Sequence, residues 1–95
     1  MIEIEQPEIR GLMTLGGGKA EVFAVEIPHG AKSIGLTVEQ IARQKNFPKE
    51  CVFMGIYKEE EDGFLIPRGS HIFREGETVC LISHSQHMKQ VTNFL

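Results

Sequence analysis

The chain has 95 residues, the size of one ordinary domain, and sets 10 Lys and Arg against 13 Asp and Glu for a formal net charge of -3. That balance repels phosphate backbones and acidic lipid surfaces, which excludes nucleic-acid or membrane-surface binding as the main business. Its uncharged apolar runs fall far short of the ~20 residues a membrane span needs, and no secretory leader opens the chain, so a cytoplasmic location is expected. A chain of this length buries only roughly 60–65% of the surface its unfolded form exposes, and self-association is expected to help stabilise it.

Residues 1–19 read as an N-terminal arm and Gly-rich linker. Met1 to Glu5 alternate apolar and polar, Pro7 interrupts, and the glycines at 16 to 18 mark a flexible joint or a wide turn. A phosphate loop would need a lysine and a Ser or Thr in a fixed pattern absent there. Residues 20–95 then form a single domain. In "EVFAVEIP", Phe23, Val25 and Ile27 share one face of a strand that Pro28 stops. Thr37-Val-Glu-Gln40 has the form of a capping box and starts a helix of about 2–3 turns, with Val38, Ile41, Ala42 and Lys45 at helical spacing, ended by "NFP".

"CVFMGIYK" follows as a strand in which the two-residue period opposes Phe53 and Tyr57 to Val52, Met54 and Ile56. Both faces are apolar, as in a central strand covered by a helix on one side and another surface, a partner chain, on the other. The acidic tip "EEEDG" turns the chain into "FLIPRG", with Asp-Gly supplying positive backbone angles, and reads as a solvated loop. A short strand at His71 to Phe73 leads through "REGE" to the last strand, "TVCLISH". Ser83-His-Ser-Gln86 offers a second capping box, and Met88, Val91 and Leu95 stripe a terminal helix. The order strand, helix, three strands, helix gives an α+β class with a largely antiparallel sheet.

The chemistry is sparse. Cys51 and Cys80 sit inside apolar stretches and read as buried structural thiols. Cys80, His84 and His87 can be drawn as a zinc set, against a plainer reading of one core thiol and two histidines on the wet side of a helix start. The serines at 33, 70, 83 and 85 are explained by turns or caps, no catalytic triad can be named, and a non-enzyme is expected. The bend "IPRGSHIF" holds Arg68 between Pro67 and Gly69, beside Ser70 and His71. Together with the helix start, it has the composition of a shallow ligand groove, or of an exposed turn that only reverses the chain.

Residues 20–95 resemble the TrkA C-terminal domain family, also called the RCK C-terminal domain. The resemblance is carried by "EVFAVEIP", by "AKSIGLTVEQIARQ" with Gly35 just before the helix, and by "CVFMGIYKE" and "FLIPRGSHIF". It continues through "REGETVCLISHSQHMKQVTNFL", where Gly76 and Glu77 stand at the family's usual Gly-Asp pair. The resemblance implies a small dimeric α+β unit that senses a cytosolic ligand and regulates a potassium channel, transporter or antiporter. In some members the ligand is cyclic di-AMP, held between two protomers. By position the groove would draw on Val38 and Arg43 of the helix and on Pro67, Ser70 and His71 of the turn, with Arg68 between them. No GxGxxG precedes residue 20, so NAD and ATP are not assigned to this chain, no cofactor is expected, and a separate TrkA-N-like nucleotide-binding subunit is an expected partner. The competing expectation is a stand-alone small-molecule or metal-binding protein unconnected to transport.

Overall fold

Alternation in two strands sets the frame. In the computed structural model, which describes residues 8–58, 60, 61 and 63–95, strand β2 (Ala20–Glu26) pairs antiparallel with β5 (Thr78–His84), so that Phe23 faces Leu81 and Val25 faces Val79. These side chains, with Ile27, point to one side and are fully buried. Helix α1 (Val38–Ala42) contributes Val38 and Ile41 to that core, and helix α2 (Met88–Thr92) contributes Val91. Strands β1 (Glu8–Leu15), β3 (Cys51–Tyr57) and β4 (Phe64–Leu65) complete one sheet in the order β1-β2-β5-β3-β4, a small α+β fold. Phe47 links the far ends of the core, stacked on Phe53 at 5.9 Å and edge-on to Phe94 at 5.3 Å. The C-terminus is tied in as well, because the Ser33 hydroxyl, wholly buried, donates to the Leu95 carbonyl at 3.2 Å.

The arm contains a strand. Residues 8–15 form the sheet edge, and the glycines at 16 to 18, with φ of 61°, 71° and 91°, close the turn into β2. Of the two alternatives for that run, an ordered turn is what forms. The alternation at Met1 to Glu5 lies outside the described residues.

Three local expectations are corrected by tertiary context. Strict alternation in β3 fails because its register against β5 shifts between Phe53 and Gly55, so Met54 is an extra residue in the ladder. Ile56 therefore joins Phe53 on the core face and is 3% exposed, while Val52 and Met54 stay on the outer face at 60% and 42%. No strand forms at His71 to Phe73. Only Ile72 makes a bridge, to Thr37, because the segment is used to complete the entry to α1. The Val38 amide donates to the His71 carbonyl at 2.9 Å and the Glu39 amide to the Gly69 carbonyl at 3.0 Å, satisfying donors a helix start leaves open. The box at 83–86 does not form either, since β5 keeps pairing through His84, and the Ser85 hydroxyl instead donates to the Gly18 carbonyl at 2.9 Å. Strands β3 and β4 pair as a hairpin, at Ile56/Leu65 and Tyr57/Phe64. Asp62 lies outside the described residues.

The box at Thr37 does form, with the Gln40 amide donating to the Thr37 hydroxyl at 3.1 Å and the Thr37 amide to the Gln40 side-chain carbonyl at 2.8 Å. The helix it starts has 5 residues and is shorter than its spacing predicts. Asn46, at φ 75°, turns the chain into the left-handed region and leaves Lys45 exposed.

Candidate functional site

The segment that completes the start of α1 also builds one wall of an open groove of about 670 Å³. Gly69 permits the approach, because a Cβ there would stand 3.3 Å from the Glu39 Cβ. Beyond it the chain is held by a clasp. Glu77, 6% exposed, accepts from His71 Nε2 at 3.0 Å through one carboxylate oxygen and from the Arg74 amide at 2.6 Å through the other. A buried carboxylate is thereby satisfied on both oxygens and fixes residues 71–77 as a rigid loop. The His71 ring stands edge-on to Phe73 at 6.0 Å, which anchors the clasp to the core.

The turn wall of the groove presents Ser70, His71, Ile72 and Arg74. The opposite wall is the β3–β4 hairpin, with Tyr57, Lys58, Phe64 and Leu65. Phe64 lies across Gly55, where a Cβ would come 1.9 Å from its ring, and stacks on Tyr57 at 6.0 Å. Only glycine leaves room for that ring.

The predicted ligand residues divide. Ser70 and His71 line the groove. Val38 is 9% exposed and packs in the core, joined to the turn through its backbone amide. Arg43 sits at the end of α1 and pairs with Glu39 at 2.6 Å, an exposed i,i+4 bridge. Pro67 is half-buried and Arg68 exposed on the bend, and neither lines the groove. Tyr57, Lys58, Phe64, Arg74 and Glu77 belong to the groove and were not singled out from the sequence. Their one local signal was the "REGE" turn, whose second acid is spaced to accept from the backbone of its own turn.

The remaining reactive groups do not assemble. Burial pushes the Cys51 thiol up to about 12, and it raises that of Cys80 as well, with Arg10 opposing in part. Both are protonated thiols at neutral pH, unsuited to nucleophilic or redox chemistry. The drawn zinc set does not form: His84 Nε2 bonds Glu50, the His84 and His87 rings are 6.0 Å apart, and no group of three His, Cys, Asp or Glu able to hold a metal exists among the described residues. His29 pairs on the surface with Glu75 at 2.5 Å. No helix among the described residues is long and apolar enough to cross a membrane.

A profile of the TrkA-C domain matches residues 22–95. The chain is also 30% identical over 83 residues to a Methanosarcina mazei protein named Trk system potassium uptake protein TrkA homolog 2. It is 26% identical over 81 residues to the Archaeoglobus fulgidus Trk system potassium uptake protein TrkA homolog. These matches cover 87% and 84% of this chain but 17% of each relative's length, so the likeness is to one segment of a longer protein. The matched span runs from β2 through the groove to the C-terminal helix, and the chain belongs to the TrkA-C domain family.

Proposed function

We propose that this chain is a non-enzymatic regulatory domain of a potassium-uptake or related cation-transport system, working in the cytoplasm as a homodimer beside its membrane transporter. The observation that carries this reading is the TrkA-C match over residues 22–95, together with relatives named as Trk system potassium uptake proteins. A separate TrkA-N-like subunit supplies nucleotide binding, and this domain couples a small cytosolic ligand to the gate.

Two surfaces bear on the dimer. The outer sheet face exposes Val52 and Met54, and the β4 edge exposes Leu65 and Ile66, the latter at 75%. We assign the second copy to the β4 edge, because it runs directly into Pro67 and the turn. An isologous contact there sets the two turns of residues 67–71 side by side. A symmetric dinucleotide such as cyclic di-AMP then meets the same groups from each protomer: Arg43, Arg68, Ser70 and His71 as polar contacts, with Val38 and Pro67 as the apolar backing.

Calorimetric titration with cyclic di-AMP, and separately with other adenine nucleotides, tests the ligand. Saturable binding of one cyclic di-AMP per two chains is expected, weakened about tenfold or more in an Arg43→Ala, His71→Ala double variant through lost hydrogen bonds and charge. Unchanged affinity in that variant overturns the assignment of the site. No heat with any nucleotide leaves a dimerising, transporter-coupling module whose effector is read elsewhere.

A further inference from the structure

The groove holds charge that the regulatory reading does not use. Lys58 lies at the end of β3 on the hairpin wall and Arg74 on the turn wall, and among the described residues neither side chain has an ion-pair or hydrogen-bond partner. Acids lie near them: Glu61 and Glu77 line the same groove, and Glu26, Glu60 and Glu75 line a second, smaller cavity with Lys58. Glu77 is committed on both oxygens, to His71 Nε2 and to the Arg74 amide. Glu61 is exposed and lines the groove too. The groove also has apolar lining: Tyr57 and Phe64 stack with an interplanar angle of 23°, and Phe64 and Ile72 remain 62% and 47% exposed.

Size, shape and charge narrow the ligand. At about 670 Å³ the groove falls among small-molecule sites, which span roughly 300–1,000 Å³. Exposed aromatic and branched side chains gain from covering by a flat apolar body, since they lose contact with water at no polar cost. Two cations on opposite walls suit a group that offers oxygens in several directions with more than one charge. A phosphate ester does this, whereas a carboxylate is served by a single guanidinium fork. The wall carrying Arg74 is held by the Glu77 clasp before any ligand arrives, so little ordering is lost on binding.

We propose that this groove is a binding site for an aryl or heteroaryl phosphate, its ring against Phe64 and Ile72 and its phosphate between Lys58 and Arg74. The site lies within one protomer. It rests on neither the transporter assignment nor cyclic di-AMP, although it shares Ser70 and His71 with the ligand turn.

The experiment is a titration of the 95-residue chain followed by amide proton–nitrogen correlation spectra, with phenyl phosphate as the probe and phenol and inorganic phosphate as separate arms. Saturating shifts are expected at the amides of 57–58, 64–65 and 70–74, with each half-probe binding about tenfold more weakly because it makes only half the contacts. A Lys58→Gln, Arg74→Gln double variant, with spectral dispersion showing that it remains folded, is expected to lose about tenfold or more in affinity. Shifts that do not saturate, shifts scattered over other surfaces, or equal affinity in the double variant overturn the proposal. Tight cyclic di-AMP binding without phenyl phosphate binding overturns this inference alone, and the reverse result removes only the dinucleotide reading.

Discussion

Glu77 is the residue on which the turn wall depends. Its carboxylate accepts from the Arg74 amide and holds His71 Nε2, both at hydrogen-bonding distance and part-buried. Removing it in Glu77→Ala leaves a backbone donor and an imidazole without partners, at a cost of about 1–3 kcal/mol. Thermal unfolding is expected to fall accordingly, and Glu77→Gln, which keeps an acceptor, is expected to recover part of the loss. Equal stability of all three proteins would mean that the clasp contributes nothing. Cys51 gives a second prediction at this scale. Its thiol, ordinarily near 9.0, is pushed up to about 12 by burial, so the fold favours the neutral form. The sign follows from linkage: the contribution is fully present below the unfolded value, and it is lost as pH rises from about 9 toward about 12, where only the unfolded chain ionises readily. Denaturant unfolding between pH 8 and 11 is expected to show declining stability that is flatter in Cys51→Ala. Thiol-reactive labelling of the native protein near pH 8 is expected to be slow, and labelling as fast as a free cysteine would contradict the burial argument.

At the scale of elements, α1 and the turn behave as one unit. Five helical residues cannot sustain themselves by propagation alone, and what holds them is the box at Thr37 together with the two carbonyls that the turn lends to Val38 and Glu39. Thr37→Ala is therefore expected to cost about 1 kcal/mol, in the range of lost N-caps. Its effect should not stay in the helix. Amide exchange is expected to quicken at Val38 and Glu39 and also at Phe73, whose amide donates to the Leu36 carbonyl and joins the turn to the segment entering the helix. Protection lost in α1 alone would show that the turn keeps its shape independently. The β3–β4 hairpin is the complementary element. Its two paired positions make it the shortest strand contact in the sheet, and it owes its shape to Phe64 lying over Gly55 rather than to backbone pairing.

For the whole molecule, the assignment of the second copy to the β4 edge separates two exposed apolar surfaces. Light scattering at micromolar concentration is expected to give a dimer for the unmodified chain and a monomer for Ile66→Asp, because a carboxylate at the centre of an apolar contact must be desolvated. Met54→Asp, on the outer sheet face, is expected to remain dimeric. The opposite pattern would move the interface to the outer face of β3, and a monomeric unmodified chain would remove the dimer and the shared dinucleotide site together. Much of the fold was legible in the sequence. Phe23, Val25 and Ile27 announced the buried face of β2 through a period that each residue's own backbone enforces, and the box at Thr37 satisfies its donors within four residues. The spacing of these signals across residues 20–95 was also enough for the family resemblance, which the profile match bears out. Other features depend on partners remote in the chain. Ile56 turns inward only because β5 imposes a bulge on β3, and Ile72 leaves the sheet because α1 needs carbonyls at its entry. Ser85 caps no helix because β5 continues to pair with Ala20. The groove belongs to the same class: Lys58 and Arg74 are unremarkable turn residues in sequence, and only the folding of the hairpin against the Glu77 clasp puts both on one cavity. Local periodicity and capping act over one or two turns of chain, whereas register, bulges and cavities are set by which distant surface is buried against which.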